Sequence, residues 1–159
     1  MLKKVALISI SLVLSFPLFT YSHEGKKSSN DEIKYPPHQL AAINQSYVIH
    51  VKPLFQRTCF DCHSQFTRYP WYSKLPGIKS FIEKDVKEGL KHLDLSKDFP
   101  FKGHGTPVRD LTAIEKSIKN NSMPPFSYKV LHWTSHLTEQ EKETIFEWIR
   151  ESLKSLENR

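Results

Sequence analysis

The sequence predicts a small all-α domain, on three observations. Apolar residues recur at helical spacing in successive stretches of the chain. Two capping-box signatures, Ser80-Phe-Ile-Glu83 and Thr138-Glu-Gln-Glu141, stand directly before apolar runs, where a hydroxyl serves the first turn and a glutamate reaches back. No stretch alternates convincingly with the period of two that a half-buried strand shows, so strands are not expected.

The first residues stand apart from that domain. Lys3 and Lys4 precede an apolar run from Val5 to Phe19, shorter than the roughly 20 residues a spanning helix needs. Residues 1–22 therefore read as an export signal with Ser22 as the cleavage point, which puts the rest of the chain in the periplasm. Thr20-Tyr21-Ser22 stands where an Ala-x-Ala site is usual, so an uncleaved anchor at the outer face of the inner membrane is the alternative. Residues 23–37 are polar, lack apolar periodicity and close on Pro36-Pro37, as a flexible linker does. Residues 38–159 are left as one domain, being too few for two.

Within it, Leu40, Ile43, Tyr47, Val48 and Val51 form the stripe of a first helix over roughly residues 38–50, which Pro53 breaks or kinks. A short helical segment follows from Leu54 to His63, and residues 64–73 form a polar and aromatic loop. The next helix opens at the Ser80 capping box, with Ile82, Val86, Leu90 and Leu93 on its apolar side and its charges mainly on the wet faces. Asp94 to Gly105 lacks periodicity and reads as a loop. Leu111, Ile114 and Ile118 mark a fourth helix, begun by Asp110 or Thr112 and ended near Asn120-Asn121. The last helix runs from the Thr138 capping box to about Leu153 and is expected to pack across the first.

The segment ending at His63 carries Cys59-Phe60-Asp61-Cys62-His63. Two thiols three apart, followed directly by an imidazole, are the attachment signature of a c-type haem. Cys59 and Cys62 would each form a thioether with a haem vinyl group, and His63 would be the proximal iron ligand. The rival readings are a redox-active or structural disulfide and half of a zinc site, but the chain has only these two cysteines and no thioredoxin-like pattern around them. One covalently attached haem c is the expected cofactor. In the following loop, Trp71 and Arg68 are candidates for hydrogen bonds to a haem propionate, the alternative being that its aromatics cap the core.

Met123, in Ser122-Met123-Pro124-Pro125, is the single methionine besides the initiator. A thioether is a soft neutral donor that can complete six-coordinate haem iron, and two prolines after it stiffen the backbone that presents it. Met123 is therefore the expected distal ligand, against a gap-filling core methionine. His132 is the rival ligand, with a structural hydrogen bond as its other reading, and His136 is expected at the surface.

The formal charge is +6, and without residues 1–22 the chain keeps 21 basic and 17 acidic residues, a balance of +4. That mild excess suits an acidic redox partner and equally a plain solvated surface. Scattered lysines and aromatics that do not interleave with them argue against nucleic acid binding.

With Cys59 to Ser64, Tyr69-Pro-Trp-Tyr-Ser73, Gly89-Leu-Lys-His-Leu-Asp-Leu-Ser96, Met123-Pro124, Tyr128, His132 and the Leu137-Thr-x-x-Glu141 helix start, the chain resembles the bacterial haem-binding domain family related to cytochrome c, over roughly residues 38–155. The resemblance implies a cytochrome c-like helical domain wrapped around haem, in exported proteins often encoded with or fused to cytochromes and di-haem peroxidases. It carries Cys59, Cys62 and His63 over as the haem motif and Met123 as the distal ligand. A mono-haem electron carrier with both axial positions filled is the leading expectation, rather than an enzyme; its partner would be a cytochrome or a di-haem peroxidase. The alternatives are a small peroxidase or gas-binding protein and an accessory haem module.

Overall fold

A computed structural model of the chain describes residues 35–103, 105–133 and 135–158. The expected export signal over 1–22 and the expected linker as far as residue 34 lie outside the described residues. Tyr35, near the linker's end, is buried in the core, and Pro37 already opens the first helix.

Of the two expectations for Pro53, a break or a kink, the break does not occur. α1 (Pro37–Ser46) passes into a π-turn (Tyr47–Val51) and then α2 (Lys52–Thr58). The Lys52 N–H reaches back five residues to the Tyr47 carbonyl, one more than in an α-helix. Pro53 thereby falls in the first turn of α2, where a missing N–H costs nothing, and the helix continues through it. The widened turn also redirects the buried line. Tyr47, Val51 and Phe55 are buried at four-residue intervals, whereas Val48, expected on the apolar stripe, is exposed.

After a break at Cys59, one more turn forms α3 (Phe60–His63), followed by a 3-10 turn (Trp71–Lys74) and α4 (Ile78–His92). The Ser80 capping box does not start α4. Gly77, with φ of 80°, turns the chain into the helix before Ser80 is reached, and Glu83 pairs instead with Lys79 at 3.7 Å. The expected loop after α4 holds one antiparallel bridge, β1 (Leu93–Asp94) on β2 (Lys102–Gly103), too short for its pattern to register in the sequence. A Cβ on Gly103 would stand 2.9 Å from the His92 carbonyl oxygen, so the return strand requires glycine. Between the two strands, Leu95 and Phe99 turn into the core, and Phe101 does so just before β2.

α5 (Pro107–Lys119) begins ahead of Asp110 and Thr112, because Thr106 caps it by accepting from the Arg109 N–H at 3.4 Å and Pro107 takes the first position. It ends as expected at Asn120-Asn121. A short α6 (Phe126–Leu131) leads to α7 (Glu139–Glu157), whose capping box forms as expected. The Glu141 N–H donates to Thr138 Oγ1 at 3.2 Å and the Thr138 N–H to Glu141 Oε2 at 2.8 Å.

α7 continues past Leu153 to Glu157 and buries Ile145, Trp148, Ile149 and Leu156 against α1, the π-turn and α5. Trp148 Nε1 donates to the Ile43 carbonyl at 3.4 Å, and the Gln39 amide to the Ser155 carbonyl. Tyr47 is the centre of an aromatic cluster, with ring centroids 5.0 Å from Phe101, 5.5 Å from Trp148 and 6.0 Å from Phe55. No helix among the described residues is long and apolar enough to cross a membrane.

Asp110, in the first turn of α5, is 5% exposed and lies so close to Gly105 that a Cβ there would collide with its carboxylate. Burial raises its carboxyl from the ordinary 3.8 to about 6, the Arg109 charge partly opposing. The folded state therefore holds this proton more tightly than the unfolded chain, and stability falls as pH rises from 3.8 to about 6. Asp110→Asn should raise the unfolding free energy at neutral pH, by at most about 3 kcal/mol, and leave it unchanged on the acid side of that window. Urea unfolding at both pH values checks this, and an equal effect at both would contradict it.

Candidate functional site

The site begins at the break between α2 and α3. Cys59, with φ of −122° and ψ of −34°, interrupts the helix. Its carbonyl nevertheless accepts from the Cys62 N–H at 3.2 Å and the His63 N–H at 3.0 Å. One turn thus carries both thiols and the imidazole. So short a helix cannot hold itself, and neighbouring groups fix its end. The buried Ser64 hydroxyl donates to the Phe60 carbonyl at 2.8 Å, and the Leu95 N–H donates to the His63 carbonyl at 2.7 Å.

His63 Nδ1 lies 2.9 Å from the Leu93 carbonyl oxygen. A carbonyl only accepts, so Nδ1 carries a proton, and in the neutral ring Nε2 is then the nitrogen with the lone pair; this is the tautomer an imidazole needs to ligate a metal through Nε2, with its ring oriented by the second nitrogen. The ring is half-buried between α3 and α4. Gly89 permits that approach, since a Cβ there would stand 2.5 Å from the Cys62 carbonyl oxygen and 3.5 Å from His63 Nδ1.

Both thiols are free. Burial pushes Cys59 up to about 11, against a smaller opposing effect of its Thr58 hydrogen bond. Burial, reinforced by Asp61 and Asp85, pushes Cys62 up to about 11 as well. A redox-active Cys-x-x-Cys works through a lowered thiol, so these surroundings speak against that reading. Among the described residues, no group of three or more His, Cys, Asp or Glu side chains could hold a metal ion, so the zinc reading finds no further donors there.

Exposed apolar side chains concentrate in two stretches of the chain, each tied to this turn through Asp61. Ten of the twelve exposed large apolar side chains among the described residues fall in two stretches, 66–81 and 123–133. α4 has an amphipathic stripe yet buries none of its residues fully. So much clustered apolar surface is what a large flat apolar group would cover, and with the His63 lone pair beside it the residues fit a haem.

Asp61 draws these segments together. Its Oδ1 accepts from Arg68 Nε at 3.1 Å, and its Oδ2 from the Tyr128 hydroxyl at 2.7 Å. The Arg68 guanidinium, expected near a propionate, is thus engaged by Asp61 and by the Gln56 carbonyl at 3.2 Å. Trp71 is 78% exposed, edge-on to Tyr72. Met123 is 47% exposed in the turn between α5 and α6. His132 has both ring nitrogens engaged, Nδ1 donating to the Tyr128 carbonyl at 3.0 Å and Nε2 accepting from the Tyr72 hydroxyl at 3.3 Å. His136 is exposed, with Nδ1 donating to the Trp133 carbonyl at 2.9 Å. Asp61 escapes sequence reasoning because it reads as filler between the cysteines; a glycine inside the α4 stripe was the available signal for Gly89, since an interior helix glycine needs a packing reason.

Gly89→Ala should prevent α4 from seating on α3, costing about 1–3 kcal/mol of stability and sharply lowering the haem content of the purified protein. Thermal unfolding and a haem-to-protein absorbance ratio check this; a stable, fully loaded Ala variant would contradict it.

Comparison with known proteins supports haem binding. Cytochrome c peroxidase Ccp of Escherichia coli (strain K12) is 27% identical over 133 residues, which cover 82% of this chain; the chain spans 27% of that relative's length. No solved structure matches the chain. The family model described as Haem-binding domain matches residues 16–151, so the chain belongs to that family of haem-binding domains.

Proposed function

We propose that the chain is an exported mono-haem protein of the c type that carries electrons in the periplasm. Cys59 and Cys62 hold the haem through thioethers, His63 is the proximal ligand and Met123 the distal one. The observation that carries this reading is the His63 Nδ1 hydrogen bond to the Leu93 carbonyl, which sets Nε2 as a donor beside two protonated thiols on one turn. Bound haem would supply an iron that cycles between ferrous and ferric. The protein's own part is to orient the imidazole and to offer apolar side chains to the ring, with His63 and Met123 as the residues that would hold the iron.

One observation favours a second reading, an accessory haem module serving a peroxidase: the similarity to cytochrome c peroxidase Ccp, of which this chain corresponds to 27%. The module would then dock on the peroxidase without itself carrying net current. Either role is compatible with residues 1–22 as an export signal or an uncleaved anchor.

Purified protein should be low-spin in both oxidation states, and its reduced spectrum should change little under carbon monoxide. Rapid formation of a carbon monoxide complex, or peroxide turnover by the isolated chain, would contradict the carrier reading. Met123→Ala should render the ferric iron high-spin or weakly ligated and lower the reduction potential, since a thioether ligand raises it. If His132→Ala does this and Met123→Ala does not, the distal assignment is wrong.

A further inference from the structure

Asp61 lies between the two cysteines, and its side chain is only 15% exposed. It is charge-paired with Arg68 and accepts from the Tyr128 hydroxyl at 2.7 Å. The Tyr128 ring stacks on His132 at 3.8 Å and 9°. Tyr72 then holds His132 from the other side at 3.3 Å. The α6 segment is thereby tied to the haem-motif turn through one shielded carboxylate.

Met123 lies five residues before Tyr128, across the stiff Pro124-Pro125 pair, with the Tyr128 and Lys129 N–H groups both donating to the Pro125 carbonyl at 3.1 Å. On the other side, the Ser122 N–H and hydroxyl both donate to the Ser117 carbonyl on α5, at 3.0 and 3.3 Å. Lys129 Nζ also donates to the Asn121 carbonyl at 2.9 Å. The methionine therefore sits in a short span fixed at both ends.

We infer that Asp61 and Tyr128 form a latch that positions Met123 as distal ligand by locking the 122–133 segment onto the haem-motif turn. This rests on the His63 and Met123 axis proposed above. Both are positioning residues, acting through the methionine and not on the iron. A hydrogen bond to a shielded carboxylate is among the stronger ones, so its loss raises the fraction of molecules in which the segment has lifted and an outside ligand can compete.

The test uses the haem-loaded protein and imidazole as the competing ligand. Tyr128→Phe, which keeps the ring stack, should raise the apparent affinity of the ferric protein for imidazole by about tenfold or more, with the thermal midpoint near wild type. Asp61→Asn, which keeps an acceptor oxygen, should raise it less than Asp61→Ala. An unchanged imidazole affinity in Tyr128→Phe, or a gain that merely tracks lost stability across these variants, would overturn the latch. Met123→Ala, read in parallel, separates the two ideas. If its spectrum is wild-type, the axis itself is wrong and the latch falls with it. If its spectrum changes while Tyr128→Phe binds imidazole as wild type does, only the latch is wrong.

Discussion

The hydrogen bond from His63 Nδ1 to the Leu93 carbonyl is the contact around which this site is arranged, because it decides which nitrogen of the imidazole is available and where the ring points. It closes a short circuit. The His63 carbonyl accepts from the Leu95 N–H, so the turn bearing the two cysteines and the corner where α4 becomes β1 hold each other by both backbone and side chain. Gly89 lets α4 come close enough for that circuit to close, and the β1–β2 bridge braces the corner from outside. A four-residue helix has no stability of its own, so its geometry is borrowed from these neighbours.

The core lines the helical run from α1 to α2, and the site begins where that run breaks at Cys59, with Phe60 still part of the core. Tyr47, Val51 and Phe55 face α7, α5 and the tucked-in Phe99 and Phe101, forming a core with Tyr47 among its aromatic rings. α4 and α6 contribute no fully buried residue, and the apolar side chains around them stay exposed. A porphyrin seated there would cover much of that surface, and its binding would stabilise the fold by linkage. Its polar counterpart is Asp61, which gathers Arg68 and Tyr128 on one carboxylate.

Much of the fold was legible in the sequence where a local rule had no competitor. The Thr138 box starts α7 because nothing upstream offers a better start, and Ile145, Trp148 and Ile149 keep their expected side. Haem binding was legible because the spacing of Cys59, Cys62 and His63 suggests that chemistry. Ser80 misled because Gly77, able to take a left-handed conformation, starts α4 first. Pro53 does not break the helix because a π-turn one residue wider than an α-turn brings it to a helix start, a remedy that no local propensity announces. Thr106-Pro107 carried the true start of α5, a cap followed by proline at the first position. Arg68 and Tyr128 lie seven and sixty-seven residues from Asp61, and Tyr72 lies sixty from His132, so no local pattern reveals these pairings.

The central claim is that one haem is joined covalently to Cys59 and Cys62. The intact mass of the exported protein after acid–acetone extraction, with the alkaline pyridine spectrum of the same sample, tests it most directly. The account predicts the chain plus one haem, a spectrum of a haem whose vinyl groups are saturated, and no titratable thiol. A colourless chain with two free thiols or a disulfide, its haem lost to the extract, would contradict it.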